Sequence, residues 1–245
     1  MLNIEGKTVE LFAPVSPGTP LVVLNGEAGE GAEVVNAVRR LTDVDFALAA
    51  VSGLCWEDDL TPWAIPPIGK GQAPCAGKAD VYIELLTGGI LPKVLEVLPG
   101  APAYIALAGY SLAGLFALYA MFRTDAFARI ASASGSLWYP GFVEYAQSHA
   151  PVRKPDALYL SLGDREGRTR NPLMRPVEDN TRQLAAHYRN SGIRMTLEMN
   201  PGGHFNDPNG RMARGIAWML ERVGRRSAAP LAPRRHGSNI PVKPH

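Results

Sequence analysis

The sequence predicts an α/β protein with a mainly parallel sheet flanked by helices. Short segments such as LVVLN and LYLSL are almost wholly apolar, as strands buried on both faces of a parallel sheet are. These segments alternate along the chain with longer stretches whose apolar residues recur at helical spacing. The length of 245 residues is that of one large domain.

Runs rich in Val, Ile, Leu and Ala predict a sheet of about seven strands. The predicted strands are Lys7–Phe12, Leu21–Asn25, Phe46–Val51, Ala103–Ala108, Ile130–Ser134, Ala157–Leu162 and Arg194–Met199. The predicted helices are Ala32–Leu41, Ala79–Leu98, Leu112–Phe122, Asn180–Tyr188 and Arg211–Val223. The pair Gly88-Gly89 weakens the second helix at its centre. Four prolines and three glycines predict a long loop over Glu57–Lys78.

The basic charge of the chain is concentrated at its carboxyl end. Residues 225–245 hold five Lys and Arg side chains and no acid, whereas the other 224 residues hold 20 basic and 23 acidic side chains. We therefore predict one folded domain over residues 1–224 and a basic, proline-containing, disordered tail over 225–245. Because the charges of the tail are few and scattered, we expect no nucleic-acid partner.

The sequence predicts a cytoplasmic protein. Its first residues lack a basic segment followed by an apolar one, and no apolar run approaches the length of a membrane span. We therefore expect no secretory signal and no membrane partner. Cys55 and Cys75 are expected to be free thiols, because disulfides persist mainly in oxidising compartments. No ligand cluster indicates a zinc site, and no glycine-rich loop indicates a phosphate-binding cofactor, so we expect neither metal nor cofactor.

The strongest chemical signal is a serine between a predicted strand and a predicted helix. The segment AYIALAGYSLAG places Ser111 directly after the strand and before Leu112, with Gly109 two residues earlier. A serine at such a turn projects its hydroxyl above the edge of the sheet. This is the G-x-S-x-G nucleophile-elbow pattern of α/β-hydrolases, with Ala113 in the last position. A serine that only caps a helix is the alternative.

A serine nucleophile needs a base and an acid. His204 alone among the five histidines follows the last predicted strand, in the loop Pro201-Gly202-Gly203, which suits the chain order serine, acid, histidine. The acid should follow an earlier strand and hold the imidazole tautomer. ALYLSL is followed by two candidates, Asp164 and Glu166.

The oxyanion of acyl transfer requires N–H donors held in place before the reaction. The amide of Leu112, directly after the nucleophile, is the first expected donor. The second should lie in the loop after an earlier strand. LVVLN is followed by Gly26 and Glu27, so we predict the amide of Glu27.

With these pieces in place, the chain resembles the putative-esterase group of α/β-hydrolases, which includes S-formylglutathione hydrolases, feruloyl esterases and ferric-siderophore esterases. The resemblance rests on segments distributed over residues 7–223, namely LNGE at 24–27, GYSLAG at 109–114, SGSLW at 134–138, LSLGDRE at 160–166 and PGGH at 201–204. It implies an α/β-hydrolase fold, and a departure from the family pattern, the reduced N-terminal strands with only about 20 residues before LVVLN, predicts a minimal form without a separate lid domain. It also favours Glu166 as the acid, which stands three residues after Gly163. Departures from the pattern are Ala113 for Gly and Asn25 for Asp.

The resemblance implies a serine esterase acting on a small-molecule ester, with a siderophore-type lactone as one possibility. Trp138 and Trp63 lie in or beside loops and are candidates for lining an acyl or catechol pocket. Four arginines after the proposed acid are candidates for receiving an anionic substrate, namely Arg165, Arg168, Arg170 and Arg175. An acyltransferase with the same triad and a non-catalytic binding module are the alternatives. The sequence leaves the oligomeric state open.

Overall fold

The computed structural model describes residues 1–13, 16–69 and 71–221. Its main feature is an eight-stranded sheet in the order β1-β2-β4-β3-β7-β8-β9-β10. The strands are β1 Leu2–Ile4, β2 Lys7–Phe12, β3 Leu21–Asn25, β4 Ala47–Ser52, β7 Ile105–Tyr110, β8 Arg129–Ala133, β9 Ala157–Gly163 and β10 Met195–Asn200. The six strands from β4 to β10 in this order are parallel, and the β1–β2 and β2–β4 pairs are antiparallel.

Helices cover both faces of this sheet. They are α1 Glu30–Arg39, α2 Trp56–Asp59, α3 Ala79–Leu85, α4 Leu91–Val97, α5 Leu112–Ala120, α6 Phe142–Ser148, α7 Val177–Asn190 and α8 Pro208–Glu221. α1 and α8 pack on one face through residues such as Val34 and Ile216. The other helices pack on the opposite face, where Phe116 and Leu184 belong to one core cluster. The predicted α/β-hydrolase fold is confirmed.

The predicted strands lie within two residues of the observed ones, and the main sheet has one strand more than expected. β1 was missed because it has only three residues, of which Leu2 and Ile4 are half-buried and Asn3 is exposed, too short an apolar pattern to recognise. The helix predicted over Ala79–Leu98 is corrected at its centre, where a π-helical turn at Leu86–Ile90 separates α3 from α4 and contains Gly88 and Gly89. α6 was also missed.

The predicted loop Glu57–Lys78 is partly ordered. It contains part of α2 and a two-stranded sheet of β5 Ala64–Ile65 and β6 Cys75–Ala76. Both cysteines are free. The predicted tail over 225–245 lies outside the described residues.

The topology determines where the chemistry can occur. Parallel strands end at one edge of the sheet, so the segments that follow β3, β7, β8, β9 and β10 meet there. In open α/β sheets, ligand sites form at that edge. Apart from Trp63, every residue that the sequence proposed for the site lies in one of these segments.

Candidate active site

Ser111 occupies a sharp turn between β7 and α5. Its backbone has φ 57° and ψ −122°, an unfavourable conformation for a residue with a side chain. The turn leaves no room at Gly109, where a Cβ would lie 2.4 Å from the carbonyl oxygen of Ala113. This close approach explains the glycine before the serine and makes the segment a nucleophile elbow in geometry as well as in sequence.

His204 lies in the loop after β10 and reaches the serine. Its Nε2 atom is 3.1 Å from the Oγ of Ser111, within hydrogen-bond distance. The hydroxyl of Tyr110 donates a hydrogen bond to the carbonyl oxygen of His204. The strand that carries the serine therefore also contacts the backbone of the histidine loop.

Glu166 completes the chain of contacts on the other side of the imidazole. Its Oε2 atom lies 2.7 Å from Nδ1 of His204. The carboxylate is buried, with 4% of the side chain exposed, and its Oε1 atom accepts a hydrogen bond of 2.7 Å from the amide of Gly163. Asp164, the second candidate acid, is exposed and accepts a hydrogen bond of 2.8 Å from the amide of Gly202 instead.

The surroundings of Glu166 favour its ionised form. Burial alone would raise the pKa of this carboxyl, but the hydrogen bonds from His204 and from the amide of Gly163 outweigh it. The net pKa is lowered, so Glu166 is a carboxylate at neutral pH. A carboxylate in this position holds the neutral imidazole with its proton on Nδ1 and leaves Nε2 free to accept the serine proton.

The two expected oxyanion donors, the amides of Leu112 and Glu27, differ in their hydrogen bonding. Leu112 begins α5, so its amide is one of the N–H groups that a helix start leaves without an intrahelical partner. The register aligns Asn25 with Gly109, which brings the segment after β3 alongside the elbow. There the amide of Glu27 donates a hydrogen bond of 2.9 Å to the carboxylate of Glu30, so the second donor is already engaged.

Glu30 is a residue that sequence reasoning missed. Burial raises the pKa of its carboxyl, and the nearby Glu27 and Glu33 act in the same direction, whereas the bond from the amide of Glu27 lowers it. A Cβ at Gly26 would lie 2.3 Å from the carboxylate, so the side chain lies directly over this segment. The only sequence signal was the acidic residue three positions after Glu27, a spacing typical of a helix start.

The loop after β8 borders the serine. The amide of Ser136 donates a hydrogen bond of 3.0 Å to the carbonyl of Ser111, and the two hydroxyl oxygens are 3.3 Å apart. Two residues further on, Trp138 is 8% exposed and lines a cavity of about 350 Å³ with Val143 and Leu173. The predicted pocket tryptophan therefore lines a cavity, although Ser111, His204 and Glu166 are not among the residues that line it.

Trp63 lies in a different setting. Its ring packs against Tyr139 and Tyr145, and its indole N–H donates a hydrogen bond of 2.9 Å to the carbonyl of Pro140. These contacts join the long loop before α3 to the loop after β8. A direct contact of Trp63 with substrate remains a prediction.

The four arginines after the proposed acid are exposed, namely Arg165, Arg168, Arg170 and Arg175. The nearest opposite charge to Arg165 is Asp164, at 3.9 Å. A different arginine, Arg211, is buried against Glu166, with Nη1 2.9 Å from Oε1. Sequence reasoning missed it. The available signal was its spacing, because Arg211 stands four and eight residues before Gly215 and Met219 and so lies on the same, buried side of α8.

The fold and the arrangement of these side chains define the class as an α/β-hydrolase. The family model described as "Putative esterase" matches residues 57–206, and the chain belongs to that family. The resemblance inferred from the sequence is thereby confirmed.

The chain also resembles one known protein in sequence and several solved structures in fold. The chain is 26% identical over 141 residues to the uncharacterized protein YbbA of Bacillus subtilis (strain 168); the match covers 56% of this chain and spans 56% of that relative's length. The siderophore hydrolase EstA from Aspergillus nidulans has a similar structure, with a TM-score of 0.68 and 20% identity over 88% of this chain and 94% of that one. An IroE-like serine hydrolase from Shewanella oneidensis has a TM-score of 0.75 and 15% identity over 87% and 75% of the two chains.

Over residues 1–13, 16–69 and 71–221, no helix has both the length and the apolar character that crossing a membrane requires. Within the same ranges, His, Cys, Asp and Glu side chains form no group of three or more that is arranged to hold a metal ion.

Proposed function

We propose that this protein is a serine esterase that hydrolyses a carboxylic ester of a small molecule through an acyl-enzyme on Ser111. The observation that carries the proposal is the continuous chain of contacts from Ser111 Oγ to His204 Nε2 at 3.1 Å and from His204 Nδ1 to Glu166 at 2.7 Å. Membership of the esterase family supports ester hydrolysis as the reaction.

In the first half of the reaction, the Oγ of Ser111 attacks the ester carbonyl carbon while Nε2 of His204 takes its proton. Glu166 holds Nδ1 and stabilises the imidazolium that forms. The carbonyl oxygen becomes an oxyanion, which the amide of Leu112 receives, joined by that of Glu27 once the Glu30 carboxylate has moved away or is protonated. The bond to the alcohol oxygen then breaks, and the imidazolium gives its proton to the leaving alkoxide.

In the second half, water takes the place of the alcohol. His204 accepts a proton from the water as its oxygen attacks the acyl carbon, and the bond to the Oγ of Ser111 breaks as that oxygen regains the proton. The products are a carboxylic acid and an alcohol, and the enzyme returns to its starting state. No cofactor or metal is required by this scheme.

The cavity that Trp138 lines and one structural relative support a choice of the first substrates to test. The cavity of about 350 Å³ is lined partly by apolar side chains such as Val143 and Leu173, which suits an acyl or aromatic group. A structural relative is named as a siderophore hydrolase. Siderophore-type esters and lactones are therefore the first natural substrates to test, and cytoplasmic action on them fits the location that the sequence predicts.

The test is hydrolysis of short p-nitrophenyl esters by wild-type protein and by Ser111→Ala. We expect the variant to lose about 10⁴-fold or more in kcat, since the covalent route is closed. Ser148→Ala, an exposed serine in α6, is the matched control and should keep wild-type rates. Wild-type rates in Ser111→Ala would show that another group is the nucleophile.

A further inference from the structure

Arg211 is a charged residue in the interior of the protein. It lies in the first turns of α8 and is 1% exposed. Removing a guanidinium from water is costly unless its donors are paired with acceptors. Its guanidinium makes five hydrogen bonds, and all five partners lie in the segments at the carboxyl ends of the strands that form the candidate active site.

The two terminal nitrogens of Arg211 reach two different parts of the site. Nη1 lies 2.9 Å from Oε1 of Glu166 and 3.0 Å from Oγ of Ser134, with the hydroxyl of Tyr110 at 3.4 Å. Nη2 donates to the carbonyls of Pro201 at 3.1 Å and of Gly203 at 3.0 Å. One planar group thus holds the acid and the loop that carries His204.

The end of β9 is shaped around this group. A Cβ at Gly163 would lie 3.0 Å from both terminal nitrogens of Arg211 and 2.4 Å from the carbonyl of Gly202. The amide of Gly163 also donates a hydrogen bond of 2.7 Å to Oε1 of Glu166, the same oxygen that Arg211 contacts. The glycine therefore allows strand, arginine and histidine loop to approach one another closely.

We infer that Arg211 is a positioning residue that holds the Glu166 carboxylate and the His204 loop in the geometry that the reaction needs. The inference rests on the proposed function. A planar guanidinium is suited to this, because its N–H donors all point outward in one plane and the direction of the remaining donors is fixed once one edge is bound. A lysine ammonium carries the same charge but cannot span the carboxylate and the two carbonyls in the same fixed plane.

The charge of Arg211 also has a predictable effect on acid–base behaviour. The titratable and charged groups around the Glu166–His204 pair are Arg211, Tyr110 from β7 and Asp164 from the end of β9. When the imidazolium forms, it shares Glu166 with the guanidinium. Loss of that cation favours the imidazolium, so activity on the acid side should be lost at a higher pH.

The test compares Arg211→Met, Arg211→Lys and Arg214→Met. Arg214 is the matched control because it lies on the same helix and contacts Glu198, Asn200 and Asp207 rather than the triad. For each folded protein, kcat and KM on a p-nitrophenyl ester and the pH profile of kcat/KM are measured. The low-field proton resonance of the Nδ1–H bond from His204 to Glu166 is recorded as a readout that does not depend on turnover.

For Arg211→Met we expect kcat to fall by about 10²-fold, as misplacement of catalytic groups does, with KM changed much less. The acid limb of the profile should move to higher pH, and the low-field resonance should broaden or vanish. Arg211→Lys should keep the acid limb near its wild-type position while kcat stays reduced. Arg214→Met should match the wild type in all of these measurements.

Two outcomes overturn the inference. If Arg211→Met folds and keeps wild-type kcat, acid limb and resonance, the residue serves stability alone. If Arg211→Met does not fold, Arg211→Lys decides, and a wild-type kcat in that variant shows that the planar fork is not needed. A wild-type protein without esterase activity would instead reject the proposed function, and the resonance would still report whether Arg211 orders the pair.

Discussion

The Oγ of Ser111 lies 3.1 Å from Nε2 of His204, although the two residues are 93 positions apart in the chain. They meet because β7 and β10 run parallel and end at the same edge of the sheet. The relationship is what the proposed chemistry needs, since a serine hydroxyl is a poor nucleophile until a base accepts its proton.

Glu166, rather than Asp164, should be the acid of the triad. We expect Glu166→Gln to lower kcat by about 10⁴-fold, because a neutral amide neither holds the correct imidazole tautomer nor stabilises the imidazolium. Asp164→Asn should change kcat by less than about threefold, since Asp164 contacts the amide of Gly202 and not the imidazole. Steady-state kinetics on one ester suffices. A larger loss in Asp164→Asn than in Glu166→Gln would reverse the assignment.

The carboxylate of Glu30 should restrain catalysis if the amide of Glu27 is an oxyanion donor. Glu30→Gln removes the negative charge next to the developing oxyanion and keeps a side chain of the same size. We expect kcat/KM to rise by about three- to tenfold, which corresponds to ~0.7–1.4 kcal/mol of transition-state stabilisation. Glu33→Gln, an exposed residue on the same helix, is the control. An unchanged kcat/KM in Glu30→Gln would remove Glu27 from the oxyanion site.

Glu166 should also contribute to the pH dependence of stability. Its pKa is lower in the folded protein than the value of about 4.3 that an unfolded chain has. A lowered pKa means that its stabilising contribution is complete above the unfolded value and is lost as the pH falls through the lower folded value. We therefore expect Tm to decline less steeply below about pH 4.3 in Glu166→Gln than in the wild type. Parallel declines would show that the carboxylate does not contribute.

Trp138 should affect which acyl group is accepted. Trp138→Ala enlarges the cavity and removes an aromatic wall, so kcat/KM should fall more for aromatic acyl esters than for acetates. We expect a selective loss of about tenfold, the effect of one to two kcal/mol of lost apolar contact. Trp218→Ala, in α8 on the opposite face of the sheet, is the control. Equal losses for both esters would place the acyl group elsewhere.

Most of the strands and helices, though not β1 and α6, were predictable because their signals are local, and the same is true of the serine and the histidine of the proposed triad. The apolar run that leads to Gly109 and Ser111 predicts both a strand and the position of the serine at its end. In the same way, the run before His204 predicts β10 and the position of the histidine after it. Arg211 and Glu30 were not predictable in this way. The role of Arg211 depends on contacts with segments distant in sequence, and that of Glu30 depends on which backbone amide its carboxylate reaches. The pattern of apolar residues predicts neither kind of contact.

The central claim is that Ser111 is a nucleophile activated by His204. Treatment with a fluorophosphonate probe, followed by intact-protein and peptide mass spectrometry, tests it most directly. We predict one adduct per chain on the peptide that contains Ser111, formed rapidly in the wild type, at least about 10²-fold more slowly in His204→Ala and not at all in Ser111→Ala. Absence of labelling in the wild type, or an adduct on another residue, would contradict the account.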